Sequence, residues 1–448
     1  MRTMLSRIFL ALFIGGALAL VVFGKRPDSF RLPDGRDVRG RVVVTYWEKW
    51  SNAEARAMQD VVDAYNLSQN RVYVNFVSMS QINQKLLIAT AGGDPPDIAG
   101  TFASQVAPCA ANGTILPLVD LQRSGVISEE RYKPFVWDIC APDGKTAYAA
   151  GATPVVNALY YNKEMFGAAE ISPPGTMEEM DAAAERLTVR NASGEIQRLG
   201  FLPTEPGWYD YDYGVYFGND LYDREHDTFA IRSAANVAAY AWYQGYAARY
   251  GAKNLNAFRA GFGDFNSPAN GFICGKLAMV IQGPYFAAFI ARNNPGLRYG
   301  VVAVPLAAGK AGDRVLADLD VWVVPRGAKH RAEAMEAIAF FSRQQELEEL
   351  CGKHGKPSPL REVSTSFLQG HPNPYIGLFE GLCLSPGVQT LPGSPVWERA
   401  RAQLDQSTAA IWTGADVKES LETAQRTVDG FVAEQRHNDA VRRAAGGK

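Results

Sequence analysis

Residues 272–285 read FICGKLAMVIQGPY and form the most informative stretch of the chain. The continuous apolar run 278–281 has the length of a buried parallel strand, and Gly283 and Pro284 end it. Pro284 suits the first turn of a following helix. Because ligands of open α/β sheets bind beyond the carboxyl ends of the strands, Tyr285 is placed where its ring can stack on a bound molecule. A core tyrosine is the alternative interpretation of the same pattern.

Strand and helix signals alternate between residues 41 and 89. Residues 41–47 are rich in β-branched side chains and residues 72–76 alternate in polarity, so both stretches predict strands. Ser51-Asn52-Ala53-Glu54 matches a capping box at a helix start, and residues 82–89 predict a second helix. This β-α-β-α order predicts an α/β fold with a mostly parallel sheet covered by helices.

Three further motifs join the opening stretch. Residues 159–166 read LYYNKEMF, residues 173–176 read PPGT before a capped helix, and residues 93–98 read GDPPDI. In this combination the chain resembles the extracellular solute-binding proteins of ABC importers, the group that includes maltose-binding and glycerol-3-phosphate-binding proteins. The resemblance covers roughly residues 41–436.

The resemblance implies a two-lobe periplasmic-binding-protein fold. Each lobe would be a mostly parallel sheet flanked by helices, with the ligand cleft between the lobes and closure by hinge motion. Residues 41–152 plus 306–345 are expected to form the first lobe, and 154–302 plus 346–436 the second.

The implied cleft residues follow strand ends of both lobes. The fourteen candidates are Trp47, Glu48, Trp50, Thr101, Ser104, Gln105, Glu205, Trp208, Tyr209, Tyr285, Asp318, Asp320, Trp322 and Arg361. The set suits a carbohydrate, because sugar faces stack on aromatic rings and hydroxyls bond to carboxylates, amides or cations. For each charged residue a solvated loop is the alternative interpretation.

Composition excludes several classes of function. The chain has 448 residues, and 45 Lys plus Arg against 47 Asp plus Glu give a net charge of -2, so no nucleic-acid partner is expected. The five His and five Cys residues lack metal-binding spacing, so we expect no metal and no cofactor. In an exported chain Cys109 and Cys140 are the disulfide pair to test, with Cys351 and Cys383 as a further candidate pair.

The N-terminal 24 residues form a separate module. Residues 8–24 are an uncharged, mostly apolar run that predicts either a signal peptide or a retained membrane anchor. Because no cysteine precedes Cys109, a lipoprotein is not expected. The location would be periplasmic or extracellular, with tethering to the cytoplasmic membrane as an open alternative. Residues 437–448 are predicted to form a flexible tail.

The resemblance implies a monomeric binding protein that captures a sugar or oligosaccharide and delivers it to ABC permease subunits. A membrane-tethered sensor would share the same pocket. A glycoside hydrolase using Glu48 with Asp318 or Asp320 is the third alternative. No G-x-S-x-G or complete phosphate-loop motif supports catalysis, so we expect no enzyme.

Overall fold

The computed structural model describes residues 32–310, 312 and 314–446. The apolar run 8–24 lies outside this range, so its two interpretations stay predictions. Across the described residues, no helix is both long enough and apolar enough to cross a membrane.

The described chain alternates strands and helices as predicted. The strands are β1 (Val42–Glu48), β2 (Val72–Ser78), β3 (Ile98–Phe102), β4 (Ala150–Val156), β5 (Ala158–Asn162), β6 (Val189–Arg190), β7 (Ile196–Arg198), β8 (Tyr222–Asp223), β9 (Thr228–Phe229), β10 (Met279–Gln282), β11 (Tyr299–Val302), β12 (Val315–Val323) and β13 (Val388–Thr390). The helices are α1 (Asn52–Ser68), α2 (Ile82–Ala91), α3 (Val106–Ala111), α4 (Val119–Arg123), α5 (Pro134–Cys140), α6 (Lys163–Ala168), α7 (Met177–Leu187), α8 (Ala234–Tyr250), α9 (Ala252–Ala260), α10 (Phe286–Asn293), α11 (Arg331–Phe341), α12 (Gln344–His354), α13 (Thr365–Gly370), α14 (Ile376–Cys383), α15 (Trp397–Trp412) and α16 (Val417–Gly446).

The larger sheet has six strands and mixed direction. Its order is β13-β12-β3-β1-β2, and β4 pairs with β12. β1 runs parallel to β2 and β3, whereas β12 runs antiparallel to β3 and β4. Strand β12 therefore returns from late in the chain into the sheet begun by β1, which places its residues beside the ends of the first strands.

The second sheet corrects one expectation. Its order is β10-β5-β11, and both pairings of the central strand are antiparallel, not parallel as predicted. The apolar run 278–281 indicates burial on both faces, and β10 is buried throughout, but burial does not determine strand direction. The Tyr160 hydroxyl on β5 donates to the Gly283 carbonyl at 2.9 Å, which fixes the end of β10 beside the sheet.

The two predicted capping boxes differ in outcome. At α7, Thr176 Oγ1 accepts from the Glu179 amide at 3.1 Å, as predicted. At α1, Ser51 makes no side-chain cap bond. The Glu54 carboxylate lies instead 3.2 Å from the Lys356 ammonium, so a tertiary ion pair replaces the local cap. The apolar face of α1 is buried, with Met58 and Val62 inaccessible to solvent.

Two smaller predictions also need correction. All five cysteines, which lie in the described part of the chain, are free thiols, so the pairs Cys109–Cys140 and Cys351–Cys383 do not form. Cys140 is buried, whereas Cys109 lies on a different, partly exposed helix. The final helix continues to Gly446, so most of the predicted flexible tail 437–448 is helical.

Candidate functional site

A cavity of about 970 Å³ opens where β1 and β3 end and where β12 crosses the larger sheet. Its volume suits a bound small molecule. Residues after β1 and β3 contribute one part of its wall, and the segment 204–211, Tyr285 and α15 contribute another. The side chains that line it are mainly aromatic or charged.

Aromatic rings form one wall of the cavity. The rings of Trp208 and Tyr285 lie 6.3 Å apart between centroids, and Phe265 packs edge-on against Trp208 at 4.9 Å. Phe289 lies 5.6 Å from Tyr285. Trp208 is 39% exposed although it is a large apolar side chain, so its ring is available for contact. Flat apolar rings with polar edges suit the faces and hydroxyls of a sugar.

Arg259 holds the loop that bears Trp208. Its Nε atom lies 3.0 Å from the Glu205 carboxylate, and its Nη2 atom donates to the Pro206 carbonyl at 2.7 Å. Gly207, which stands between Pro206 and Trp208, has a φ of +85°, and a Cβ there would lie 2.9 Å from Arg259 Nη2. A glycine is needed at this turn because the conformation is left-handed and the guanidinium passes so close.

Asp320 on β12 lies at the centre of the charged wall. Its Oδ1 atom is 3.0 Å from the Lys49 ammonium and its Oδ2 atom is 2.9 Å from the Lys356 ammonium. Thr153 also donates its hydroxyl to Oδ2 at 2.5 Å. Burial acts to raise the pKa of Asp320, but the two lysines outweigh burial and hold this pKa well below its usual range.

Lys49 and Lys356, which pair with Asp320, also lie against aromatic rings of the cavity. The Lys49 ammonium lies 4.8 Å from the ring centres of both Trp50 and Phe102. The Lys356 ammonium lies 5.8 Å from the ring centre of Tyr285. A cation over an aromatic face is attracted by the ring quadrupole, so these contacts hold the rings in place.

Two carboxyl groups in the wall have raised pKa values. Burial raises the pKa of Asp318 to about 6, and the neighbouring Asp320 adds to the shift. Burial also raises the pKa of Asp210 to about 7, against the opposing effect of Arg259. Both groups therefore change charge near neutral pH.

Seven of the fourteen predicted residues line this one cavity. They are Trp50, Ser104, Trp208, Tyr209, Tyr285, Asp318 and Asp320. They come from five separate parts of the chain, so the fold brings together what the sequence separates. Their role as ligand contacts stays a prediction.

Three predicted residues are internal to the larger sheet or its core. Glu48 is fully buried, and the Tyr46 hydroxyl donates to its carboxylate at 2.5 Å. A Cβ on Gly100 would lie 1.8 Å from Glu48, so the missing side chain makes room for this carboxylate. Trp322 is fully buried and donates its Nε1 hydrogen to Tyr46 at 2.7 Å. Trp47 pairs with β2 and β3 and does not line the cavity.

The other four predicted residues lie beside the cavity or away from it. Thr101 donates its hydroxyl to Asn83 at 2.8 Å, and Gln105 donates to Glu398 at 2.8 Å. Glu205 supports the cavity only through Arg259. Arg361 donates to the main-chain carbonyls of Tyr132 and Glu129 at 3.3 and 3.2 Å. It does not line the cavity, contrary to the prediction that it donates to a ligand.

Several cavity residues were not anticipated from the sequence. The main ones are Lys49, Glu54, Phe102, Asp210, Asn256, Arg259, Lys356, Glu398, Arg401, Asp405 and Trp412. Lys49 stands between the predicted residues Glu48 and Trp50, and Lys356 lies five residues before the predicted Arg361. Helix α15 carried no motif, so its contribution required the tertiary structure.

The cavity lacks the carboxylate pair that the hydrolase alternative requires. Glu48 lies outside the cavity lining, so it does not form the carboxylate pair with Asp318 or Asp320 that the hydrolase alternative requires. Among the described residues, no group of three or more His, Cys, Asp or Glu side chains is placed to hold a metal ion.

Known proteins resemble this chain along most of its length. A binding protein of Brucella abortus (strain 2308) is 22% identical over 369 residues, which cover 80% of this chain and 84% of the relative. The alpha-glucosides-binding periplasmic protein AglE of Rhizobium meliloti (strain 1021) is 28% identical over 159 residues, or 34% of each chain. The structure of CpMnBP1 with mannobiose bound superposes with a TM-score of 0.77 at 25% identity, covering 86% of this chain and 99% of that chain.

These similarities support the two-lobe α/β fold and a binding function without catalysis. The family model described as bacterial extracellular solute-binding protein matches residues 49–346, two-thirds of the chain. The chain belongs to the bacterial extracellular solute-binding proteins.

Proposed function

We propose that the protein captures a sugar or oligosaccharide outside the cytoplasmic membrane and delivers it to an ABC permease. The observation that supports this most is the cavity that combines the rings of Trp208 and Tyr285 with polar side chains such as Asp318 and Asn256. Rings bind the apolar faces of a sugar, and polar side chains bind its hydroxyls. CpMnBP1 binds mannobiose and AglE is named for alpha-glucosides, which favours the same class of ligand here.

Capture would proceed by closure of the two lobes. A ligand that contacts both sides of the cavity stabilises the closed arrangement by its differential affinity, and the permease would recognise that arrangement. The lobes would comprise residues 41–152 plus 306–345 and residues 154–302 plus 346–436. The working unit would be a monomer in the periplasm or outside the cell.

Isothermal titration calorimetry of the full chain tests this function. The panel contains glucose, mannose, maltose, maltotriose, mannobiose and cellobiose, with glycerol 3-phosphate as the anionic comparison. Saturable 1:1 binding of a saccharide that chromatography then recovers unchanged is the expected result. Turnover of the saccharide, or heat only with glycerol 3-phosphate, would contradict the proposal.

A further inference from the structure

The cavity wall has more acidic than basic side chains. Six carboxylates line it, from Glu54, Asp210, Asp318, Asp320, Glu398 and Asp405. Four cationic side chains line it, from Lys49, Arg259, Lys356 and Arg401. The ion pairs among these side chains determine which charged groups remain available to bind a ligand.

Both lysines already use all their donors. The Lys49 ammonium lies 3.0 Å from Asp320 Oδ1, 3.0 Å from the Thr101 carbonyl and 3.4 Å from Glu48 Oε1. The Lys356 ammonium lies 2.9 Å from Asp320 Oδ2, 3.2 Å from Glu54 Oε1 and 3.3 Å from Thr153 Oγ1. Since an ammonium has three N–H donors, neither lysine has one left for a ligand.

The two arginines are also paired. Arg259 lies 3.0 Å from the Glu205 carboxylate, and Arg401 lies 3.6 Å from the Asp405 carboxylate. Each cation of the wall is therefore already paired with a carboxylate, so an anionic ligand meets no unpaired positive charge. The two guanidinium groups keep N–H donors that can bind a neutral hydroxyl.

Asp318 makes none of the ion pairs that Asp320 makes, although both residues lie on β12. Its Oδ1 atom accepts from the Leu319 amide at 2.8 Å, and no cationic side chain of the described residues lies within ion-pair distance of it. The carboxylate is half-buried in the cavity wall. Asp320 is the acidic group that faces the Asp318 carboxylate, and the phenol groups around it belong to Tyr209, Tyr211 and Tyr285. The nearby cations of Lys49 and Lys356 form their ion pairs with Asp320.

We propose that the saccharide bears a basic amine whose ammonium pairs with Asp318. This inference rests on the proposed function and names the class of sugar within it. A half-buried carboxylate without an ion-pair partner gains more from an ammonium than from a hydroxyl, because both donate a hydrogen bond to the carboxylate but only the ammonium adds the attraction of an opposite charge. The neighbouring rings of Trp208 and Tyr285 also attract a cation. Desolvation already raises the pKa of the Asp318 carboxyl group, and an ammonium would favour its ionised form.

Calorimetry at pH 7.0 with matched sugars tests the inference, because the amine, with a pKa of roughly 7.7, and the Asp318 carboxyl group are then both mostly charged. The probes are glucosamine, mannosamine, galactosamine and the β-1,4-linked glucosamine disaccharide. Each is compared with its N-acetylated form and with its hydroxyl parent, so stereochemistry and linkage stay constant. We expect at least one amine-bearing probe to bind about tenfold or more tightly than both of its counterparts.

The Asp318→Asn variant provides the second comparison. It keeps the shape of the side chain and removes the charge, so the preference for the amine should disappear while a thermal melt shows an intact fold. If saccharides bind but no amine-bearing probe binds more tightly than both its hydroxyl parent and its N-acetylated form, the inference is wrong and saccharide capture stands. If neither these probes nor the neutral panel bind, the proposed function itself is wrong.

Discussion

The Lys356 ammonium lies 2.9 Å from Asp320 Oδ2, and the same ammonium lies 3.2 Å from Glu54 Oε1. It thus ties β12 and helix α1 to the segment that follows α12. Burial acts to lower the pKa of Lys356, but Asp320 and Glu54 together outweigh burial and raise this pKa, so the cation stays charged at all physiological pH values. The contact is therefore a permanent ion pair in the wall of the cavity.

Replacing Lys356 with methionine should destabilise the protein by about 3 kcal/mol, because it leaves the buried Asp320 carboxylate and the partly exposed Glu54 carboxylate with fewer counter-charges. Urea unfolding followed by circular dichroism measures this change. Lys329→Met is the matched control, since Lys329 pairs with Asp94 on the exposed surface and its loss should leave the free energy of unfolding unchanged within error. Equal effects of the two substitutions would contradict the structural role of the Lys356 pair.

Trp208→Ala should weaken saccharide binding by about tenfold or more, because the substitution removes an exposed stacking surface and leaves the cavity open. Calorimetry with the best saccharide of the neutral or amine-bearing panel measures this effect. Leu368→Ala is the control, since Leu368 is equally exposed at 40% but does not line the cavity. An unchanged affinity in Trp208→Ala would exclude this ring as a ligand contact.

Binding of an amine-bearing sugar should weaken as the pH falls through about 6. The pKa of Asp318 is raised to about 6, so its carboxylate is ionised above this value and protonated below it. The ammonium of an amino sugar has a pKa of roughly 7.7, like that of an α-amino group, and stays charged below about pH 7, so affinity should fall by up to about tenfold per pH unit on the acidic side of the Asp318 pKa. Titrations between pH 5 and 7 measure the profile, and Asp318→Asn should flatten it.

Asp210 also titrates in this range, because burial raises its pKa to about 7. An Asp210→Asn variant therefore separates the two groups. If the loss of affinity near pH 6 persists in Asp318→Asn and vanishes in Asp210→Asn, the ammonium partner is Asp210 and the assignment to Asp318 is wrong.

Asp212 should limit stability at alkaline pH. It is only 4% exposed, its Oδ1 atom has no hydrogen-bond partner, and burial raises its pKa to about 8. Because the folded pKa lies above the unfolded value of 3.8, the stabilising contribution of the protonated acid is full below that value and is lost as pH rises through about 8.

Asp212→Asn removes this loss, so the variant should be more stable than the original protein by about 2 kcal/mol at pH 8 and similar to it at pH 4. Thermal and urea unfolding at both pH values measure the difference. Asp94→Asn at the surface should show no such pH-dependent gain. A variant that is equally stable or less stable at pH 8 would contradict the account of Asp212.

Much of the fold could be predicted because its signals are local. The β-branched run of β1, the Thr176 cap and the apolar run of β10 each determine an element from a few neighbouring residues. The direction of β10 was not predictable in this way. It depends on pairing with β5, more than a hundred residues earlier, and burial on both faces is the same for either direction.

The site was less predictable because it depends on long-range pairing. Asp318, Asp320 and Trp322 share one face of β12 by the two-residue period of a strand. Asp318 and Asp320 line the cavity, but Trp322 lies deeper, 5.6 Å from Phe341 and bonded to Tyr46. Lys49 and Lys356 are adjacent only through Asp320, and no sequence spacing connects them.

A crystal structure of the full chain with its tightest saccharide bound tests the central claim most directly. The account predicts a sugar ring against Trp208 and Tyr285 in the cavity, with contacts to residues on both sides of it and a donor group of the ligand at Asp318. A saccharide bound elsewhere on the protein, or held in the cavity without contact to either ring, would contradict it.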